Sequence, residues 1–170
     1  MNDYFVEIDS DTTQSIDIAL DVGFKNIVSF RSRICDYLLC ESSFWDYDEV
    51  RLFYGDISCW LVDVIENIDV PITFWMDYCP LQFNDDLEWG SISQIDRLLT
   101  SLHIIRNHRL NNHTILIDDI SSFLCSGYVP SNLERIMVSL LRINRNYNIQ
   151  IEDEVIVARG KGHDDSYSSL

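Results

Sequence analysis

Basic residues are scarce in this sequence of 170 amino acids: Lys and Arg total 12, against 28 Asp and Glu, which gives a formal net charge of −16 at pH 7. Such a charge repels the phosphates of nucleic acids and anionic membrane surfaces, so we expect no direct binding to either. The negative net charge is compatible with binding to a protein partner that has a basic surface. The acidic residues are scattered along the chain, which is also typical of a surface that keeps a protein in solution.

The sequence also lacks a long uncharged apolar run. Its most apolar stretch, 52–76, is interrupted by four acidic residues, whereas a membrane-spanning helix needs about 20 nearly uncharged residues. The first residues have neither the basic start nor the apolar segment of a signal peptide. Five cysteines occur without a C-x-x-C spacing and without neighbouring histidines, so we expect free thiols in a reducing, cytoplasmic setting rather than disulfides or a zinc site.

Apolar residues make up 46% of the chain and aromatic residues 12%, enough for a sizeable core. We expect one domain over 1–159, followed by a loose polar tail over 160–170. The patterns predict strands at 4–8, 26–30, 50–54, 72–76 and 114–117, helices after each of them, and a closing hairpin of 147–152 with 154–158. The helix after the first strand has Asp11 or Thr12 as its candidate cap, and the last helix has Ser131. Strands that alternate with helices predict an α/β fold with a mostly parallel sheet and an antiparallel C-terminal hairpin.

This order of elements, together with four local segments, resembles the class I S-adenosylmethionine-dependent methyltransferases. The segments are Tyr4-Phe-Val-Glu-Ile, Leu52-Phe-Tyr-Gly-Asp-Ile-Ser, Pro71-Ile-Thr-Phe-Trp-Met-Asp and Asn112-His-Thr-Ile-Leu-Ile-Asp-Asp-Ile. The resemblance covers roughly residues 4 to 158 and implies a three-layer, Rossmann-like fold. It implies a cofactor site at the ends of the first three strands, and its departures from the family pattern fall in that site.

The family usually follows the first strand with a glycine-rich turn, because glycine lets the backbone approach the cofactor closely. Here Asp9 and Asp11 stand where glycines are expected, and their side chains are predicted to crowd the amino-acid portion of the cofactor. Arg31 stands where the family places an acid for the ribose hydroxyls. Glu7 is interpreted as support for the turn, and Asp56 occupies a position that the family uses near the adenine. This degenerate set predicts that ordinary S-adenosylmethionine binding is weak or absent, and that no cofactor is held.

A second group of acids follows the fourth and fifth predicted strands: Asp77, Asp118 and Asp119. The carboxyl ends of neighbouring parallel strands meet at one crevice, so these carboxylates are predicted to converge, and Mg²⁺ prefers such oxygen ligands. The resemblance implies a metal site that orients a hydroxylated substrate. The alternative is that one Asp caps the following turn while the others are solvated. His113, just before the fifth strand, is a weak candidate for a catalytic base, the alternative being a histidine that makes a structural hydrogen bond.

Three functions are compatible with these features. The first is a methyltransferase-like pseudoenzyme that has lost catalysis and binds a protein with a basic surface. The second is an active S-adenosylmethionine-dependent, metal-dependent O-methyltransferase with an unusual cofactor turn. The third is an acidic mimic of nucleic acid that blocks a nucleic-acid-binding protein. The sequence favours the first, because it explains the altered turn, Arg31 and the acidic charge together.

Overall fold

A computed structural model of the chain describes residues 3–78, 93–121 and 129–160. Within these residues the strands are β1 (Tyr4–Ile8), β2 (Asn26–Arg31), β3 (Val50–Tyr54), β4 (Ile72–Met76), β5 (Thr114–Ile117), β6 (Asn148–Glu152) and β7 (Val155–Arg159). They form one sheet in the order β3-β2-β1-β4-β5-β7-β6. The first five strands are parallel, and β7 runs antiparallel to both β5 and β6. The predicted α/β class, with its C-terminal antiparallel pair, is confirmed.

Helices cover both faces of this sheet. They are α1 (Gln14–Val22), α2 (Ile34–Phe44), α3 (Ile57–Glu66), α4 (Gln94–Arg106) and α5 (Val129–Ile143). One core cluster joins α3, α4 and α5 to one face of the sheet, through buried residues such as Leu61, Leu102 and Leu140. A smaller cluster, which includes Ile16 and Cys40, joins α1 and α2 to the opposite face. The chain therefore has the three layers that the resemblance implies.

Helix starts are where the sequence-based predictions were wrong. The residue at the start of α1 is Thr13, not Asp11 or Thr12, and its side chain makes no capping hydrogen bond. Helix α5 begins at Val129 instead of after Ser131, because Pro130 has the fixed φ of a first helical turn and does not end the loop. Gly23 does end α1 as expected, in the left-handed region at φ 96°, with its N–H donating to the carbonyls of Ala19 and Leu20.

The C-terminal hairpin turns tightly through Asp153 and Glu154. Both residues have positive φ, 46° and 70°, which is typical of a two-residue type I′ turn. Residues 79–92, and nearly all of the predicted tail, 161–170, lie outside the described residues. In the part of the chain that the structure describes, no helix is long and apolar enough to cross a membrane.

Candidate functional site

The carboxyl ends of β1, β4 and β5 form one edge of the sheet, and the candidate residues follow them. Backbone hydrogen bonds continue the pairing past the strands: Asp77 N–H donates to the carbonyl of Ile8 at 3.0 Å, and Asp118 N–H donates to that of Met76 at 2.9 Å. Asp9, Asp77 and Asp118 are therefore neighbours along this edge. In open α/β sheets this is the position of the ligand crevice.

A buried ion pair lies beneath the turn that follows β1. Glu7 and Arg31 are fully or almost fully buried, and Nη2 of Arg31 donates to Oε2 of Glu7 at 2.6 Å. The hydroxyl of Ser29, opposite Glu7 in the sheet, donates to the same oxygen at 2.6 Å, and the hydroxyl of Ser15 donates to Oε1. Burial raises the pKa of Glu7 to about 7, against the lowering influence of the Arg31 charge and the Ser29 hydroxyl. The carboxylate of Glu7 is therefore fully engaged within the protein.

Arg31 also holds the backbone of the turn. Its Nη1 donates to the carbonyl of Ser10, and its Nη2 donates to the carbonyl of Thr12 at 2.9 Å. The residue is 1% exposed, so the guanidinium lies below the turn and not in the crevice above it. Because Arg has five donors and no acceptor, this arrangement satisfies two carbonyls of the turn and one carboxylate at once.

Asp9 keeps the backbone shape of a glycine while adding a side chain. Its φ is 65°, in the left-handed region that Asp tolerates better than most residues. One carboxylate oxygen accepts from the N–H of Ser32 at 3.2 Å, and the other pairs with Arg97 of α4. Burial raises the pKa of Asp9, opposed by Arg97 and Ser32. The ion pair thus crosses from the turn after β1 to α4, where Arg97 also lies 5.5 Å from the ring centre of Tyr78.

Asp77 lies near three other acidic residues. Burial raises its pKa to about 6, the hydroxyl of Ser10 opposes that rise, and the charges of Asp118, Asp11 and Asp119 raise it further. These four carboxylates are therefore close enough to interact. Asp11 is the most exposed of them.

The predicted metal ligands have other partners. Oδ1 of Asp118 accepts from the N–H of Asp119 at 2.7 Å, and Oδ1 of Asp119 accepts from the hydroxyl of Ser121 at 2.8 Å. Among the described residues, no group of three or more His, Cys, Asp or Glu side chains is arranged to hold a metal ion. Asp77, Asp118 and Asp119 thus share one edge without forming such a group there, and the turn-capping alternative describes Asp118 and Asp119 better.

Asp56, the predicted adenine contact, lies after β3 and caps α3. Its Oδ1 accepts from the backbone N–H of Ser58 at 2.9 Å and from the Ser58 hydroxyl at 2.7 Å. Asp56 is exposed and follows the carboxyl end of β3. Its position is compatible with contact to a ligand, although helix capping explains it without one.

His113 lies at the opposite edge of the sheet. Its Nδ1 accepts from the N–H of Ile72, the first residue of β4, at 3.1 Å, and its Nε2 lies 2.9 Å from the Leu110 carbonyl and 3.0 Å from Nδ1 of His108. Burial and the neighbouring His108 lower the pKa of His113 to about 4. Asp118 lies five positions further along the chain, at the other end of β5, roughly 16 Å away at 3.3 Å per residue. His113 is therefore a structural hydrogen-bonding residue, away from the crevice.

Sequence reasoning missed Arg97, His108 and the serines that surround Glu7. Arg97 meets Asp9 across 88 positions of sequence, and no spacing rule connects residues that far apart. Ser15 and Ser29 offered no pattern of their own, because isolated serines are common in helices and strands. Only the strand register of β1 with β2 brings Ser29 and Arg31 to Glu7.

Comparison with known proteins identifies the fold. No family model and no curated protein matches the chain. Among solved structures it is similar to fibrillarin in a complex with Nop5p (TM-score 0.59, 10% identity, covering 92% of this chain and 72% of that one). It is similar to the methyltransferase domain of bacterial CtHen1-CN (TM-score 0.57, 11% identity, 93% and 90% covered). A candidate methyltransferase from Streptococcus mutans, solved in complex with SAH (S-adenosylhomocysteine), gives a TM-score of 0.54 at 11% identity, with 91% and 86% covered.

These similarities show that the chain has the Rossmann-like fold of class I S-adenosylmethionine-dependent methyltransferases. At identities of 10–11% they define the fold and not the activity. One of these neighbours was solved in complex with SAH. The comparisons therefore do not support the expectation that this chain holds no cofactor.

Proposed function

We propose that this chain is a methyltransferase-like protein without catalytic activity, which does not hold S-adenosylmethionine in the usual way and acts by binding a protein partner. The observation that carries the proposal is the position of Arg31. Its guanidinium is buried beneath the turn after β1 and donates to Glu7 and to the carbonyls of Ser10 and Thr12. An acid that binds ribose hydroxyls is thereby replaced by a cation whose Nη1 and Nη2 groups already donate to the protein.

The turn itself supports the same conclusion. In the family, glycine at this place lets the backbone approach the cofactor. Here the left-handed conformation persists at Asp9, but its side chain occupies the approach and is tied to Arg97 on α4. Binding the amino-acid portion over this turn would require the Asp9–Arg97 pair to separate. The residues present therefore do not fit the cofactor in the arrangement that the fold usually provides.

A protein partner is supported by charge and by fold. A net charge of −16 favours encounter with basic surfaces, mainly by raising association rates and selecting orientation. Fibrillarin, a structural neighbour, was solved in complex with the protein Nop5p. By analogy, we infer that this chain, which has the same fold, can also bind a protein partner.

The direct test is isothermal titration calorimetry of the purified chain with S-adenosylmethionine and SAH. We expect no binding in the micromolar range, which corresponds to about −8 kcal/mol. Adenosine, titrated in parallel, separates a retained adenine contact near Asp56 from recognition of the whole cofactor. Circular dichroism of the same sample controls for folding. Micromolar affinity for S-adenosylmethionine would contradict the proposal.

A second candidate function, an active O-methyltransferase, is favoured by one observation. Asp77 has a pKa of about 6 and lies among the carboxylates of Asp11, Asp118 and Asp119. A carboxyl group with a pKa near neutrality suits a general base, and an acidic crevice attracts a positively charged sulfonium. Transfer of a labelled methyl group to a hydroxylated acceptor, lost in Asp77→Asn and retained in a control such as Asp63→Asn, would establish this function instead.

A further inference from the structure

Exposed large apolar side chains are concentrated in one segment of the chain. Of thirteen exposed large hydrophobic residues in the described part, eight fall within 34–62, which spans α2, β3 and the first half of α3. Trp45 is 80% exposed, the highest value among them. Single exposed apolar residues are ordinary, but a concentration of this kind is typical of an interaction site.

Two exposed apolar residues of α2, together with Trp45 directly after it, lie along one stripe, whereas the exposed Leu39 lies about 100° from Leu38 around the axis. Ile34, Leu38 and Trp45 are separated by four and seven positions, and at 100° per residue they fall within about 40° of one another around the helix axis. Ile34 and Leu38 are 50% and 52% exposed. The buried residues of the same helix, Cys40 and Phe44, point to the sheet, so the stripe faces away from the core.

A ring contact connects α2 to the neighbouring strand. Tyr37 of α2 lies 5.9 Å from the ring centre of Tyr54 in β3. Among the described strands, β3 is the last in the order and pairs with β2 alone. We define the edge surface as the four exposed residues Ile34, Leu38, Trp45 and Tyr54.

The charges around the edge surface are mostly negative, and Arg33, directly before Ile34, forms an ion pair with Asp36. Residues 34–66 include eight acidic residues and a single basic one, Arg51. Glu41 lies on the α2 stripe between Leu38 and Trp45, and Asp46 and Asp48 follow Trp45, all of them exposed. An apolar stripe that includes one carboxylate and is followed by two more is complementary to an amphipathic segment with basic residues. It is poorly suited to a second copy of this chain, since two copies would each bring a net charge of −16.

From this geometry we infer that the edge surface docks an amphipathic, lysine- or arginine-rich helix of a partner protein, laid along α2. The partner's apolar side chains meet Ile34, Leu38 and Trp45, and its basic residues face Glu41 and Asp48. The inference rests on the proposed protein-binding function and assigns it a site. Helix α2 has 11 residues and is about 16 Å long at 1.5 Å per residue, so two to three turns of a partner helix can contact it.

The test uses a synthetic helical peptide of alternating leucine and lysine faces, with fluorescence anisotropy as the readout. We expect it to bind the unmodified chain, and we expect Leu38→Ser with Trp45→Ala to weaken binding at least tenfold. The matched control is Val138→Ser with Ile151→Ser, which removes two apolar side chains of 40% and 53% exposure elsewhere on the surface. All four side chains are exposed, so both variants are expected to fold, as circular dichroism would verify.

Charge is tested separately. Glu41→Gln is expected to weaken binding and to flatten its dependence on salt, since one favourable charge contact is removed. A peptide with glutamate in place of lysine is expected not to bind. Failure of the lysine peptide to bind, equal weakening by the control variant, or equal binding of the glutamate peptide would each overturn the inference. A dimer in sedimentation that Trp45→Ala dissociates would overturn it in favour of self-association.

The calorimetry with S-adenosylmethionine is repeated on the edge-surface variant. Because the edge surface includes none of the residues that follow β1 or β4, cofactor affinity should be the same with and without these substitutions. Failure of the proposed function would appear as binding of S-adenosylmethionine to the unmodified chain. Failure of this inference would appear as peptide binding that Leu38→Ser with Trp45→Ala leaves unchanged.

Discussion

Replacing Arg31 with methionine is expected to destabilise the protein strongly. The substitution leaves the Glu7 carboxylate buried without its counter-ion, and removing one partner of a buried ion pair costs about 3–5 kcal/mol. Within that total, the carbonyls of Ser10 and Thr12 each lose a donor worth about 1 kcal/mol. Urea unfolding followed by circular dichroism measures the difference. The matched control is Arg109→Met, which breaks an exposed pair with Asp69 and is expected to cost at most about 1 kcal/mol.

The pH dependence of this loss identifies its cause. Burial already raises the pKa of Glu7 from 4.5 to about 7, and removing the Arg31 charge raises it further. A raised carboxyl pKa favours the folded state below pH 4.5 and loses that contribution as the pH rises. The penalty of Arg31→Met should therefore be smallest near pH 4.5 and grow towards pH 8. Adding Glu7→Gln to Arg31→Met should recover part of the loss at pH 8. A penalty below about 1 kcal/mol, or one independent of pH, would refute the buried-pair reasoning.

Three further predictions concern stability. His113 has a pKa of about 4 in the folded state, below its usual 6.5, so the unfolded state binds more protons between these pH values. As the pH falls from 6.5 to 4, the free energy of unfolding should therefore decrease by about 3 kcal/mol. His113→Gln should flatten this dependence, as measured by urea unfolding at several pH values. Ser93 caps α4 by accepting from the N–H of Asp96 at 3.3 Å, so Ser93→Ala should cost about 1 kcal/mol in urea unfolding, and no change would contradict the cap. Asp153→Asn with Glu154→Gly should raise the melting temperature, because both positions have positive φ and Asn-Gly is the preferred type I′ pair, whereas a fall would contradict that turn type.

The fold was predictable from local patterns, whereas the contacts within the site were not. Strands β1 and β4 were correct to the residue, since short apolar runs between turn residues are local signals. The resemblance to the family predicted that Arg31 replaces the ribose-binding acid. The burial of Arg31 against Glu7 could not be predicted, because that contact spans 24 positions and depends on the register of two parallel strands. Helix starts were missed for a related reason, since competing caps differ by little energy and tertiary contacts decide among them.

The pair of Glu7 and Arg31 also makes a part of the domain cooperative. It joins β1 to β2 directly, and through Ser15 and the carbonyls of Ser10 and Thr12 it includes the start of α1. None of these elements can unfold alone without exposing a charge to solvent or leaving a buried charge without its partner. In amide hydrogen exchange they should therefore open together, as one unit with a shared protection factor, rather than by fraying of the turn at the mouth of the crevice.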